Sequence, residues 1–261
     1  MTEETILAEK RGKVAVLTIN RPKVLNALDL PTLSRLEQVF AEAAEDRDAH
    51  VIVITGAGEK AFVAGGDIAD LNSRRGLAHY EQFAEIIHRV FRKIETCDKP
   101  TIAAVNGFAL GGGTELMLAT DIRILADNAR LGLPEITLGL FPGAGGTQRI
   151  IRQLPLCRAK EIMFAGEQIT ATEAVAIGLA NRVVPAAALM AETMALAEKI
   201  AAKSPLVLKL LKRTLINGGD MPLAAALAYE QGMIGLVLDS DDSHEGCSAF
   251  LARRPAVFRG A

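Results

Sequence analysis

Tryptophan is absent from this sequence of 261 residues, tyrosine occurs twice, and aromatic residues together make up 4%. A surface that stacks nucleic-acid bases on aromatic rings has few rings to use. An excess of one charge sign is lacking too: 29 lysines and arginines face 31 aspartates and glutamates, a formal net charge of −2. No global field draws the chain to nucleic acid or to an anionic membrane, and neither is expected as a partner. Lys209, Lys212 and Arg213 form the one modest basic cluster, which reads as a solvated helix face.

Cysteine is sparse: Cys97, Cys157 and Cys247 are the only three, and they lie far apart. They make no CxxC pair and no disulfide framework. The four histidines show no ligand spacing such as HExxH, so no metal is expected. The start, Met1-Thr2-Glu3-Glu4-Thr5, is acidic where a secretory leader is basic, and no apolar run follows. A cytoplasmic protein without signal or transit peptide is expected.

Long apolar runs are scarce as well. From Thr101 to Thr120 the only charge is Glu115, and this length suits a bilayer. Its four glycines, Asn106 and the central glutamate point instead to a buried strand followed by a buried helix. Nucleotide-binding motifs are missing. Gly56-Ala57-Gly58 has Ala61 where GxGxxG needs glycine, and Gly143-Ala144-Gly145-Gly146 has Gln148. No GxxxxGK[ST] occurs, nor a GxSxG elbow.

What is present is a globular composition, 50% hydrophobic and 23% charged, in a chain ample for a large core. Strands are expected at Val14–Ile19, Val51–Thr55, Ile102–Val105 and Ile122–Leu125, and a short one at Val183–Pro185. Between them fall helical patterns. Asp29 and Pro31 open one that runs to about Arg47, with Leu33, Leu36, Val39, Phe40 and Ala43 on one face. A second spans roughly Tyr80–Glu95. Thr170 and Glu173 form a capping box for a short helix ending near Gly178. Helices are further expected at about Ala187–Lys203, Pro205–Ile216, Pro222–Leu238 and Ser243–Ala252, with Gly218-Gly219 separating two of them. The alternation indicates an α/β fold. A core of residues 1–197 is expected, followed by a helical C-terminal region of residues 198–261.

Two glutamates stand out. Glu115 closes Gly111-Gly112-Gly113-Thr114, and Glu135 sits within Leu131-Gly132-Leu133-Pro134-Glu135-Ile136. A carboxylate in such surroundings costs free energy unless something depends on it. Two carboxylates in one apolar pocket can divide acid and base work, because burial and repulsion push their pKa values apart. Two glycine-rich segments accompany them, Ala64-Gly65-Gly66-Asp67-Ile68 and Asn106-Gly107 through Gly111-Gly112-Gly113. Glycines leave backbone N–H groups unobstructed. Two such groups from different loops can converge on one carbonyl oxygen as an oxyanion hole, helped by the dipole of the helix after Gly113.

Along nearly its whole length the chain resembles the crotonase superfamily of enoyl-CoA hydratases and isomerases. The resemblance rests on Asn20-Arg21-Pro22 with Leu25-Asn26-Ala27-Leu28, and on Ala61-Phe62 with Ala64-Gly65-Gly66-Asp67-Ile68. It continues through Lys99-Pro100, Asn106-Gly107, Gly111-Gly112-Gly113, Glu115-Leu116 with Asp121, Pro134-Glu135 and Pro142-Gly143-Ala144-Gly145-Gly146-Thr147-Gln148-Arg149. Glu245-Gly246 and Arg254-Pro255 with Phe258 fit its C-terminal pattern.

The resemblance implies a crotonase-like spiral of ββα units with a helical C-terminal oligomerisation region. It implies that the N–H groups of Gly66 and Gly112 hold the carbonyl of an acyl-CoA thioester. Many relatives have alanine where Gly66 stands, a departure expected to be harmless because only the N–H is used. The Ala64 carbonyl would meet the adenine amino group, with Asp67 and Ile68 also at the coenzyme A site, and Gly143 would leave room for water. Glu115 and Glu135 match the two acids of the hydratases. The expected activity is reversible syn addition of water to a 2-enoyl-CoA, with Glu135 as the proton donor to the α-carbon and Glu115 as the water activator. No cofactor is implied, since coenzyme A belongs to the substrate. An isomerase of the same family and a non-catalytic, RNA-binding homologue are the alternatives. The acyl pocket is expected to border the stretch from Leu71 to Ala78. Leu223, Leu227, Met233, Ile234, Leu236, Val237 and Leu238 exceed what an isolated tail can bury, so a trimer or a dimer of trimers is expected.

Overall fold

The structure, a computed structural model, describes residues 4–261. Met1–Glu3, the beginning of the acidic start, lie outside the described residues.

The chain opens with a hairpin of β1 (Ile6–Arg11) and β2 (Val14–Ile19), followed by α1 (Leu30–Glu45). Then β3 (Val51–Gly56), β4 (Ala61–Val63), α2 (Ile68–Asn72) and α3 (Leu77–His79) lead through a π-helical turn, Tyr80–Ala84, into α4 (Glu85–Thr96). The next unit is β5 (Thr101–Val105), β6 (Phe108–Leu110) and α5 (Gly112–Leu118). It is followed by β7 (Ile122–Ala126), β8 (Arg130–Gly132) and a 3-10 turn, Pro134–Leu138. Beyond these come α6 (Gly146–Ile150), α7 (Leu156–Ala165), β9 (Ile169–Thr170), α8 (Ala171–Ala176), β10 (Arg182–Val184) and α9 (Leu189–Ala201). The C-terminal helices are α10 (Pro205–Gly219), α11 (Leu223–Leu238) and α12 (Asp241–Leu251).

Three times a strand of one sheet is followed by a short strand of a second sheet and then a helical turn. The sheets have the orders β1-β2-β3-β5-β7-β10 and β4-β6-β8-β9. Apart from the pairs β1–β2 and β8–β9, neighbouring strands run parallel. This is the α/β spiral of ββα units. β2, β3 and β5 read as unbroken apolar runs because both faces of the large sheet are covered. Leu17, Ile52, Ile54, Ala103 and Leu125 face the core shared with α1 and α4. Val14, Val16, Val51, Val53, Ile102 and Ile124 face α9 through Leu189, Met194, Ala197 and Ala201. Residue 197 thus lies inside a helix laid on the sheet, and the chain leaves the sheet only at Ala202–Ser204.

Several local expectations shift. The helix expected from Tyr80 begins at Leu77 and passes through the π turn. Gly218 and Gly219 form the last turn of α10 instead of a spacer. The break falls just before Pro222, whose ring pushes the preceding residue out of helical φ/ψ. The basic cluster is a solvated face only in part. Lys212 is buried, and its ammonium meets Asp121 at 2.7 Å and the Lys99 carbonyl at 3.0 Å. Lys209 and Arg213 pair with Asp98. These contacts dock α10 on the ends of β5 and β7.

α11 packs against α10, yet none of its residues is buried, and Leu223 is 74% exposed. Among the described residues no helix is long and apolar enough to cross a membrane.

Candidate active site

The site forms where the two sheets meet at the N-terminus of α5. Gly111 turns the chain with φ 52° and α5 starts at Gly112, two residues earlier than expected. A Cβ on Gly113 would lie 1.9 Å from the Val63 carbonyl oxygen, so only glycine lets α5 approach β4 this closely. On the other side a single β-bridge joins Leu28 to Gly66. Leu28 N–H donates to the Gly65 carbonyl (2.9 Å) and Asp67 N–H donates to the Leu28 carbonyl (2.9 Å). That clip leaves Gly66 N–H with no acceptor among the described residues, as is also true of Gly112 N–H at its helix terminus. A Cβ on Gly112 would lie 3.5 Å from the Gly66 nitrogen, so the two donors are neighbours.

Both glutamates reach this place. Glu115 is 3% exposed. Its Oε1 accepts from Ala144 N–H (2.7 Å) and Gly146 N–H (2.8 Å), the turn that opens α6. Burial raises its pKa, while those two donors and the Arg149 cation pull it back. Glu135 is half-buried, and its Oε2 has no hydrogen-bond partner among the described residues. Its pKa is pushed up to about 7, chiefly by burial, with repulsion from Glu115 adding to the rise. The environments differ as acid–base chemistry requires: one carboxylate is held by two donors, while the other keeps a bare oxygen and titrates near neutrality.

Gly143 is exposed beside this pair, and a Cβ there would meet only the Phe141 carbonyl, at 3.7 Å. It lines a cleft of about 670 Å³ together with Tyr80, Ala84, Glu85, His88, Arg89 and Phe141. Gly66, Gly112, Glu115, Glu135 and Gly143 are therefore brought to one region. Ala64 N–H donates to the Leu25 carbonyl (3.0 Å), and the Ala64 carbonyl accepts no bond among the described residues. Ile68 is 53% exposed.

Asp67 is committed elsewhere. Its Oδ1 caps α2 by accepting from Ala69 and Asp70 N–H, and its Oδ2 pairs with Arg21 at 3.3 Å. Arg21 also pairs at 2.8 Å with Asp29, whose other oxygen caps α1. One guanidinium thus joins two helix N-caps.

Sequence reading gave three participants no role: Leu71 entered only as one end of the stretch beside the acyl pocket, Arg149 only within a matching motif, and Phe83 not at all. A Cβ on Gly66 would lie 3.1 Å from Leu71 Cδ1 and 3.6 Å from Phe83 Cζ, so these side chains wall the two N–H groups. Their helical spacing resembles that of ordinary core residues. Arg149, on α6, is the third, and nothing local to its sequence distinguishes it from a surface arginine.

A family model described as enoyl-CoA hydratase/isomerase matches residues 9–261. The short-chain-enoyl-CoA hydratase of Clostridium acetobutylicum is 42% identical over 254 residues, 97% of each chain. The crotonyl-CoA hydratase of Syntrophomonas wolfei is 42% identical over 258 residues, 99% of each. The crystal structure of an enoyl-CoA hydratase from Bacillus anthracis superimposes with a TM-score of 0.96 at 37% identity, over 99% of this chain and 100% of that one. The free paired N–H groups and the two differently held carboxylates thus sit in a chain that belongs to the enoyl-CoA hydratase/isomerase family.

Proposed function

We propose that this chain is an enoyl-CoA hydratase, adding water reversibly to a 2-enoyl-CoA to give a 3-hydroxyacyl-CoA. The observation that carries the reading is the pair Glu115 and Glu135 beside two uncommitted backbone donors. A thioester carbonyl received by Gly66 and Gly112 N–H draws electron density from the conjugated double bond, and the β-carbon becomes electrophilic. Negative charge then develops on an oxygen that the donors already face, and losing one such donor costs about 10²–10³ in rate.

Glu115 serves as the base. Its Oε1 is occupied by Ala144 and Gly146 N–H, which leaves Oε2 to take a proton from water next to open Gly143. Glu135, whose raised pKa of about 7 keeps a substantial fraction protonated at neutral pH, gives its proton to the α-carbon. The elements of water are added with no change of oxidation level overall, so no redox cofactor is called for, and coenzyme A enters as part of the substrate. The free Ala64 carbonyl suits an exocyclic amine such as that of adenine, with Asp67 and Ile68 contributing through backbone and apolar side chain.

Residues 198–261 are read as the region of assembly. The unburied apolar surface of α11 is larger than an isolated helix tolerates in water, and a trimer or pair of trimers would cover it.

The test is spectroscopic. Crotonyl-CoA mixed with the purified protein should lose its conjugated-enoyl absorbance and gain one water by mass. No loss at any pH between 6 and 9, with a 3-enoyl-CoA gaining conjugation instead, would favour the isomerase.

A further inference from the structure

Arg149 belongs to neither the donors nor the acids, yet it is tied into the turn between Ala144 and Gly146. Its Nε and Nη2 form a fork to Glu95 on α4, at 2.9 and 2.8 Å. Its Nη1 donates to the Ala144 carbonyl at 3.0 Å. Its own N–H donates to the Gly145 carbonyl at 2.9 Å. Gly145 has φ 98°, and a Cβ there would lie 2.1 Å from Arg149 Nη1, so the guanidinium folds back over a turn that glycine alone permits. The same peptide units whose carbonyls Arg149 holds carry the donors to Glu115, or sit between them. A Cβ on Gly146 would in turn lie 2.8 Å from Glu115 Cγ. The turn has no slack on either side.

We propose that Arg149 is a positioning residue for hydration: clamped by Glu95, it fixes the 144–146 turn so that two N–H groups hold Glu115 as an ionised, correctly turned base. This rests on the reading of Glu115 as water activator. The surrounding charges are few. α6 brings Arg149, and the turn after β8 brings Glu135. β4 and β6 bring none. α4 brings Glu95, already paired, together with Glu85 and His88 at the cleft and Arg89 and Lys93 paired to Glu37. Among the described residues Arg149 is thus the one cation acting on Glu115, and its field lowers the Glu115 pKa against the effect of burial.

The test follows the Glu115 carboxyl directly, by ¹³C NMR of protein labelled at glutamate Cδ, with the signal assigned by its loss in Glu115→Gln. Arg149→Met should raise the Glu115 titration midpoint by about one unit. It should also lower kcat about tenfold or more with KM nearly constant, since the substrate contacts are untouched. Arg149→Lys keeps the charge and loses the fork. It should restore most of the titration but only part of kcat. An Arg149→Met protein that is folded by circular dichroism yet titrates Glu115 as the parent does would overturn the proposal. If Arg149→Met fails to fold, Glu95→Gln decides: with the fork broken, the Ala144 and Gly146 amides that hold Glu115 should exchange faster with solvent by NMR, and unchanged exchange refutes the clamp. A parent protein without hydratase activity would defeat the proposed function alone, because the carboxyl titration is read without substrate.

Discussion

A methyl group on Gly111 would lie 2.9 Å from Oε1 of Glu135, and Gly111 also sits at φ 52°. The turn that starts α5 and the acid opposite it are therefore fitted to each other. Gly111→Ala should lose activity through both effects. The residue strains the backbone by about 1 kcal/mol, and it displaces the Glu135 carboxyl from the oxyanion donors. The expected outcome is a modest drop in melting temperature with a fall in kcat of about 10²-fold, checked by calorimetry beside steady-state kinetics. Equal, small losses in both would show that Glu135 has freedom to retreat.

Glu115→Gln and Glu135→Gln should each keep the fold and reduce hydration about 10²–10⁴-fold, the usual worth of a general acid or base. The two acids serve one addition step, so the double variant should lose much less than the product of the single losses. Multiplying losses in the double variant would mean that the two act independently.

Glu135 also leaves a signature on stability. Its folded pKa, about 7, lies above the ordinary carboxyl value of 4.5. The folded state therefore binds this proton more tightly than the unfolded chain. The penalty is absent below pH 4.5, grows as pH rises, and is complete above about 7. Glu135→Gln should accordingly leave stability unchanged near pH 4 and raise it by roughly 1–3 kcal/mol at pH 8. Denaturant melts at the two pH values decide. In the parent enzyme the same titration should cut hydration as pH rises through about 7.

A side chain at Gly66 would have to move its neighbour. An added methyl would stand 3.1 Å from Leu71 Cδ1, a few tenths of an ångström too near. Gly66→Ala should be active but slower on substrates that crowd the α-carbon, and Leu71→Val should relieve it. Gly66→Pro removes the donor itself and should cost about 10²–10³ in kcat if circular dichroism shows an intact fold. Comparable loss from alanine and proline would point to shape instead of hydrogen bonding.

Assembly is the last expectation. Light scattering should report at least a trimer at micromolar concentration. Replacing Leu223, Leu227 and Leu236, all exposed on α11, by glutamine should dissociate it without unfolding the sheets. A fully active monomer would show that α11 needs no cover.

The large sheet was legible because β2, β3, β5 and β7 are nearly continuous runs of apolar and β-branched residues, a pattern that doubly covered strands impose. β1 was not, since only Ile6 of its six residues is buried and no alternation survives. The second sheet was hidden for another reason. β4, β6 and β8 hold three residues each, too short for any period, and their pairing is set by the larger sheet. Within the site, the glycines and glutamates announced themselves by local contrast with their surroundings. Arg149 did not, because its meaning comes from Glu95, 54 positions away in the chain, and only the fold supplies that neighbour.

Arg21 has a mechanical consequence. It ties the caps of α1 and α2 together through Asp29 and Asp67, so the leading end of α2 is a fixed pivot. The trailing end, toward Ser73, Arg74 and Arg75, is held through Asp70, which pairs with Arg74 and accepts from Leu30 N–H at 3.2 Å. Any widening of the cleft to admit a bulky acyl chain then falls to the chain beyond Asn72, which swings from the held end of α2 like a door on its hinge. The jamb beside Gly66, Leu71 included, stays put while the latch side, Ser73 to Leu77, travels, so the breadth of substrates accepted and the precision of the carbonyl's seat can be altered independently.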